Sequence, residues 1–148
     1  MSYRYKTILC PVDFDENSMA ALNHAKDLAS ELNATLHVLH VVHLNPTIGE
    51  LVHRPVSGGE TPAFDKLRAM ADRELVGVKH EIHIRFASAL EIPKTVLAAA
   101  DDLHADLLVM ATHGRAGLSH LLLGSVAEAV VRTARCPVLT VRAQGTIL

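Results

Sequence analysis

Residues 110–125 of the chain contain three glycines and end in a serine, and they directly follow a strongly apolar run. Gly114 and Gly117 lie in the middle of this stretch, and Gly124 and Ser125 end it just before a helical pattern. Backbone N–H groups in the first turn of a helix have no intrahelical acceptor, and the helix dipole favours negative charge there. A strand, a glycine-bearing loop and a helix N-terminus in this order predict a phosphate-binding site.

Three common phosphate-handling systems of α/β proteins do not fit these positions. A dinucleotide-binding domain needs G-x-G-x-x-G in its first strand-to-helix turn, but residues 11–17 contain no glycine. A Walker-type loop needs a lysine before its hydroxyl residue, whereas Ser125 directly follows Gly124. A phospho-accepting receiver domain typically carries an aspartate after its third strand and a lysine after its fifth, where this chain has Ser88 and Arg142. The glycine stretch therefore indicates another type of site.

The hydrophobic pattern alternates between strands and helices along the whole chain. Strands are predicted at 5–12, 35–42, 78–86, 105–112 and 138–142, and helices at 16–32, 62–75, 92–103 and within 124–134. This order predicts one α/β domain, residues 1–148, with a doubly wound five-stranded parallel sheet and helices on both faces. In such sheets ligands bind beyond the carboxyl ends of the strands, where the strand order reverses. Asp13 and the stretch 110–125 both follow strands directly.

Two segments depart from a regular alternation of buried strands and helices. Residues 44–61 contain prolines and glycines without periodicity, which predicts a long surface loop or a lid. Residues 78–86 alternate strictly between apolar and polar side chains. This strand is therefore expected at an edge of the sheet, with one face in water.

Ten histidines raise the question of a metal site. His37, His40 and His43 are three residues apart on one predicted strand, so neighbours in this series point to opposite faces of the sheet. His80 and His83 have the same spacing, and the sequence contains no HExxH motif or Cys/His cluster. No protein-bound metal site is expected, and Mg²⁺ would arrive only with a nucleotide.

The overall composition argues against nucleic-acid and membrane partners. A net charge of −2 provides no basic field for nucleic acid, and no apolar run approaches the roughly 18 residues of a membrane span. Cys10 and Cys136 each precede a proline and are expected to be small buried thiols in a reducing compartment. A soluble cytoplasmic protein is therefore expected.

Several segments, taken in order, resemble the universal stress protein family over almost the whole chain. They are YKTILCPVDF at the start, LHVLHVV in the second strand, then ADLLVMATHGRAGL, LLLGSVAEAVVR and the terminal CPVLTVR. The resemblance implies a strand order of 3-2-1-4-5 and, for members of the ATP-binding type, a bound ATP or AMP.

The ATP-binding members of this family carry a glycine, two residues, a second glycine, nine residues, and then a glycine with serine or threonine. Gly114, Gly124 and Ser125 match this pattern, whereas Ala111 stands in place of the first glycine. Alanine is penalised mainly where φ is positive, so a negative φ at Ala111 would allow the substitution.

The resemblance implies a role for each part of the nucleotide site. The Asp13 carboxylate should accept a hydrogen bond from adenine or ribose, and Val41 should offer its backbone to the adenine edge. Met110 and Ala111 should line the base and sugar, while the loop and the last helix bind the phosphates. The implied nucleotide-binding residues are Pro11, Val12, Asp13, Val41, Met110, Ala111, His113, Gly114, Arg115, Gly124, Ser125 and Val126.

The same residues also have interpretations that need no ligand. Ser125 and Glu128 fit an S-x-x-E capping box, which stabilises a helix by about 1 kcal/mol. Asp13 is also suited to cap the first helix, the loop glycines to form simple turns, and Arg115 to be a solvated charge. These alternatives stay open at the level of sequence.

The expected function is that of a stress-response regulatory protein that holds ATP or AMP as a signal. No water-activating base or Walker-B-like acid is evident, so any hydrolysis should be slow. The alternatives are a weak ATPase or phosphotransferase, with Asp13 or His113 orienting water, and an interaction module without nucleotide. The last strand, 138–142, is apolar on both sides, and the resemblance implies that two copies pair through it as a homodimer.

Overall fold

A computed structural model describes residues 4–44, 61–113 and 123–143, which contain five strands, four α-helices and one 3₁₀ turn. The strands are β1 (Thr7–Pro11), β2 (Thr35–His43), β3 (His80–Ala87), β4 (Leu107–Ala111) and β5 (Val138–Val141). The helices are α1 (Glu16–Leu32), α2 (Pro62–Glu74), α3 (Ile92–Asp102, preceded by the 3₁₀ turn Ala89–Glu91) and α4 (Ser125–Thr133).

All five strands run parallel, in the order β3-β2-β1-β4-β5. The predicted doubly wound sheet and its strand order are therefore confirmed. β1 pairs with β2 on one side, with Thr7 opposite Thr35, and with β4 on the other, with Ile8 opposite Leu107. Because the strand order reverses between β1 and β4, their carboxyl ends border the crevice in which α/β proteins bind ligands.

Two hydrophobic layers cover the sheet. α1 and α2 pack on one face, against Val38 of β2, and α3 and α4 pack on the other, against Leu39. Successive side chains of a strand point to opposite faces, so a strand covered on both sides must be apolar at almost every position. β1 meets this requirement, since Ile8, Leu9 and Cys10 are completely inaccessible to solvent.

Local sequence explains where the first two helices begin. α1 starts after Asp15, whose side chain accepts a 2.7 Å hydrogen bond from the Ser18 amide. α2 starts after Thr61, whose hydroxyl accepts a 3.1 Å hydrogen bond from the Phe64 amide. Each cap provides an acceptor for an amide that the helix itself leaves without one.

β3 and β5 are the edge strands of the sheet. The edge position of β3 confirms the one predicted from its alternating pattern. The predicted strands at 5–12 and 105–112 are shorter in the structure, Thr7–Pro11 and Leu107–Ala111, a difference typical of element ends.

Three other expectations concern the predicted loop, membrane spans and the two cysteines. Most of the predicted loop at 44–61 lies outside the described residues. Within the ranges that the structure describes, no helix is both long and apolar enough to cross a membrane. Cys10 and Cys136 are free thiols; Cys10 is buried as expected, whereas Cys136 is only half-buried.

Candidate functional site

Three chain segments meet where the strand order reverses. Residues 12–13 leave β1, residues 112–113 leave β4, and residues 124–126 begin α4. We refer to these three segments together as the switch crevice. The Val12 amide donates to the Leu39 carbonyl of β2 at 2.8 Å, which holds the exit of β1 against the neighbouring strand. The crevice is thus built from the ends of rigid elements, as ligand sites in open α/β sheets are.

Asp13 lies at the exit of β1 in a tightly bonded turn. Its carboxylate accepts a hydrogen bond from the Asp15 amide at 3.2 Å, and its own amide donates to the Ser18 hydroxyl at 3.2 Å. The residue that caps α1 is Asp15, so the alternative in which Asp13 caps this helix is wrong. The structure places Asp13 beside the crevice and ahead of the capped helix.

Phe14 is a member of this turn that sequence reasoning did not identify. Its φ of 67° lies in the left-handed region, an uncommon conformation for a residue with a bulky side chain. The ring stacks at a tilt on His40, 4.6 Å between centroids, and the Lys66 ammonium lies 4.5 Å from the ring centre. His40 Nδ1 contacts the Val12 carbonyl at 2.8 Å. These contacts hold the turn that presents Asp13.

Thr112 joins β4, β5 and the start of α4. Its amide donates to the Val141 carbonyl at 3.0 Å, and its carbonyl accepts from the Gly124 amide at 2.6 Å. Its hydroxyl lies 3.0 Å from Nδ1 of the neighbouring His113. Sequence reasoning passed over Thr112 as a strand residue, although a polar residue at the end of an apolar strand was a usable signal. The Gly124 bond ties the first turn of α4 to the carboxyl end of β4.

The first turn of α4 carries no side-chain cap. Gly124 is the capping residue, and its φ of −61° and ψ of 160° are extended backbone. Ser125 is the first helical residue, so the predicted capping box of Ser125 with Glu128 is wrong. Among the described residues, none accepts a hydrogen bond from the amides of Ser125, Val126 or Ala127. These are the groups that a helix N-terminus offers to an anion.

Gly124 itself does not contribute a free amide, because its N–H already donates to Thr112. The expectation that the Gly124 N–H binds phosphate therefore needs correction, since this group instead sets the position of α4. Ser125 is exposed and Val126 half-buried, so their part of the turn faces solvent. The anion-binding capacity of the turn rests on the amides that follow Gly124.

The two sides of the switch crevice differ in charge. Burial raises the pKa of the Asp15 carboxyl, the adjacent Asp13 raises it further, and hydrogen bonding from Ser18 partly offsets both effects. Two carboxyl groups at the exit of β1 disfavour an anion there and favour donors such as amino or hydroxyl groups. The start of α4 has the opposite preference. Burial also raises the pKa of the Cys10 thiol to about 12, so this residue is not a nucleophile at neutral pH.

The remaining predicted site residues occupy the same edge of the sheet. Pro11 ends β1, Val41 is a partly exposed residue of β2, and Met110 is buried under α3 and α4. Ala111 ends β4 opposite Val141 and does not belong to the described residues with positive φ, so alanine is not strained at this position. The predicted residues Gly114 and Arg115, together with Gly117, lie outside the described residues.

A second polar cluster lies away from the switch crevice, and sequence reasoning missed it. His37 of β2 lies directly opposite Glu81 of β3, and His83 is two residues further along β3 on the same face. His37 Nδ1 is 2.9 Å from His83 Nε2 and 3.3 Å from Glu81 Oε2. The spacing of histidines within each strand argued against such a group, but that reasoning compared residues of one strand only. We refer to His37, Glu81 and His83 as the edge cluster.

The profile of one protein family matches residues 4–142, and that family is described as the universal stress protein family. Among curated relatives, the universal stress protein MJ0531 of Methanocaldococcus jannaschii is 35% identical over 145 residues. The match covers 93% of this chain and 82% of that protein.

Solved structures share the same architecture. This chain is 27% identical in sequence to MJ0577, a protein of Methanocaldococcus jannaschii whose structure is known, and the two structures align with a TM-score of 0.75. The alignment covers 97% of this chain and 100% of MJ0577. A universal stress protein solved in complex with cAMP is 24% identical with a TM-score of 0.69, covering 96% and 100% of the two chains. At 24% identity, the similarity to the cAMP-bound protein shows a common fold and no more.

Proposed function

The chain belongs to the universal stress protein family, and we propose that it is a stress-response regulatory protein that binds ATP or AMP in the switch crevice. The observation that carries the proposal is the first turn of α4, where the amides of Ser125, Val126 and Ala127 have no acceptor among the described residues. A nucleotide phosphate would supply the acceptors that this turn lacks. The cAMP complex of a protein with the same fold supports an adenine nucleotide as the ligand class.

The charges of the crevice set the direction of the nucleotide in this proposal. The phosphates lie at the start of α4, near Ser125 and Val126, and His113 follows β4 on the same side of the crevice. Gly114 and Arg115, which lie outside the described residues, are proposed to bind the phosphates as well. The adenosine lies toward the exit of β1, where the Asp13 carboxylate accepts from an amino or hydroxyl group. The base and sugar are bordered by Pro11, Val12, Val41, Met110 and Ala111.

The test measures ATP and AMP binding by isothermal titration calorimetry, with Ser125→Pro as the decisive variant. Proline removes the amide donor, yet it is well tolerated at the first position of a helix. The extended backbone of Gly124 is also the conformation that a residue before proline prefers. Ser125→Ala is the matched control, because it removes the hydroxyl and keeps the amide.

We expect Ser125→Pro to weaken ATP binding roughly 10- to 100-fold, the loss of one hydrogen bond to a charged group. Ser125→Ala should change the affinity by only about threefold if the backbone carries the contact. Mass spectrometry of nucleotide released from the denatured wild-type protein identifies the natural ligand. No binding of either nucleotide at millimolar concentration, or equal affinity of wild type and Ser125→Pro, would refute the proposal.

Hydrolysis is proposed to be slow, with Mg²⁺ carried by the nucleotide. Among the described residues of the crevice, Asp13 already accepts a backbone hydrogen bond, and His113 contacts the Thr112 hydroxyl through Nδ1 while its Nε2 is inaccessible to solvent. Neither side chain is therefore held as a base beside an open water position. ATP turnover measured with Mg²⁺ for the wild type, Asp13→Ala and His113→Ala tests this. A fast turnover lost in either variant would replace the regulatory proposal with an enzymatic one.

We also propose that the chain is a single-domain cytoplasmic protein that forms a homodimer through β5. β5 is an edge strand, and Leu139 within it and Val131 on α4 are exposed apolar side chains, 39% and 44% accessible. Leu139→Lys should yield monomers in light scattering at micromolar concentration, whereas Val76→Lys, at an exposed apolar residue near the opposite edge, should not. A monomeric wild type would contradict the dimer.

A further inference from the structure

The edge cluster brings three potential metal ligands from two strands to one place. The parallel register sets His37 opposite Glu81 and Leu39 opposite His83, so all three polar side chains project from the same face of the sheet. Their ligand atoms lie within 4.8 Å of one another. Rigid strands, not a loop, therefore set the spacing of these groups.

The two distances from His37 within the edge cluster match those between ligands on a single ion. Ligand bonds to Zn²⁺ are roughly 2.0–2.1 Å long, which puts two ligand atoms about 3.3 Å apart on a tetrahedral ion and about 2.9 Å apart at an octahedral right angle. The separations from His37 Nδ1 are 2.9 Å to His83 Nε2 and 3.3 Å to Glu81 Oε2. The separation between the Glu81 and His83 ligand atoms is within 4.8 Å, and the exposed Glu81 side chain has room to adjust it.

The surroundings also suit a metal. Burial lowers the pKa of His37 and of His83, which leaves both imidazoles neutral and able to donate a lone pair at neutral pH. The guanidinium of Arg85, two residues beyond His83 in β3, is held by Asp102 at 2.9 Å. His37 is 7% exposed, whereas the Glu81 side chain is 64% exposed, so the cluster has one buried wall and one side open to solvent.

We propose that His37, Glu81 and His83 bind a divalent transition-metal ion, with Zn²⁺ as the probe of choice, and that water completes its coordination. Two histidines and one carboxylate form a ligand set used for such ions. The ion takes the place of the hydrogen bond between His37 and His83, and the imidazole that donated this bond carries its proton on its other ring nitrogen instead. The bound ion joins the edge strand β3 to β2. The site is separate from the proposed nucleotide site, since His37 precedes Val41, which borders the nucleotide there, by four residues, roughly 13 Å along the strand.

The experiment uses the full chain without an affinity tag, stripped with chelator and free of nucleotide. Calorimetry with Zn²⁺ gives stoichiometry and affinity, and the absorption spectrum of added Co²⁺ reports the coordination geometry. Glu81→Gln and His83→Gln each remove one ligand. His80→Gln is the matched control because His80 adjoins Glu81 in β3 but points to the opposite face.

We expect one Zn²⁺ per chain at micromolar concentration and a higher melting temperature with the ion, since a ligand of the folded state stabilises it. Both ligand variants should weaken Zn²⁺ binding by about tenfold or more, with His80→Gln unchanged. Glu81 is exposed, so Glu81→Gln tests the site even if His83→Gln does not fold. Absence of binding, or binding that both variants leave intact, would show that His37 and His83 form only a hydrogen-bonded pair.

Discussion

The switch crevice and the edge cluster present two ways of making a polar site on one sheet. The crevice offers mainly backbone groups, the first amides of α4, positioned by the Thr112–Gly124 hydrogen bond. The edge cluster offers only side chains, positioned by the pairing of β2 with β3. A backbone site tolerates many changes of residue type but depends on where a helix begins. A side-chain site tolerates no loss of a ligand and depends on strand register.

The largest effect is expected where the two regions share their support. Leu39 is fully buried in β2 and lies between His37 and Val41 on the same face of the sheet. Leu39→Ala should lower the free energy of unfolding by about 2–5 kcal/mol because it leaves a cavity in the core. Urea denaturation measures the loss, and nucleotide and Zn²⁺ binding should weaken together.

Leu39→Met is the control for this prediction, since a swap that conserves volume should cost less than about 1.5 kcal/mol. If Leu39→Ala impaired binding at one region and left the other unchanged, the two regions would not depend on a common β2.

A smaller effect should separate the two regions. Asp15 caps α1 beside the crevice, so Asp15→Ala should lower the free energy of unfolding by about 1 kcal/mol, whereas Asp15→Asn keeps a capping oxygen. Nucleotide affinity should also fall with Asp15→Ala, because losing the cap loosens the turn in which the Asp15 amide holds the Asp13 carboxylate. Zn²⁺ affinity measured on the same samples should not change. A matching loss of Zn²⁺ binding would contradict the independence of the two regions.

The smallest effect concerns pH and arises at the acidic exit of β1. The pKa of Asp15 is raised in the folded state by burial and by Asp13, so the folded protein binds its proton more tightly than the unfolded chain does. The resulting stabilisation is complete below the ordinary value of about 3.8 and is lost as the pH rises through the folded pKa.

Asp15→Asn removes this titration and should therefore gain stability relative to the wild type as the pH rises from about 3.8 toward neutrality. Urea midpoints of the two proteins measured across pH 3 to 7 give the difference. A difference that is flat with pH would contradict the raised pKa of Asp15.

Comparison of the two regions also shows how far sequence reasoning reaches. The edge position of β3 and the placement of Asp13 after β1 were predicted, since apolar periodicity and turn residues report local structure directly. The strand order was implied by the family resemblance and not by these patterns. The capping box at Ser125 was wrong because the helix begins one residue earlier than its motif requires. One residue decides which amides stay free, and sequence patterns locate element ends only to within a few residues.

The sequence by itself determined that alternating strands and helices form a doubly wound sheet and that a glycine-bearing stretch precedes the last helix. Tertiary structure alone decided that the Gly124 amide donates its hydrogen bond to the Thr112 carbonyl and that His37 lies against Glu81 and His83. The physical reason is the sequence separation over which each effect acts. Periodicity acts between residues a few positions apart, whereas strand register sets contacts between residues 44 to 46 positions apart, here His37 with Glu81 and His83.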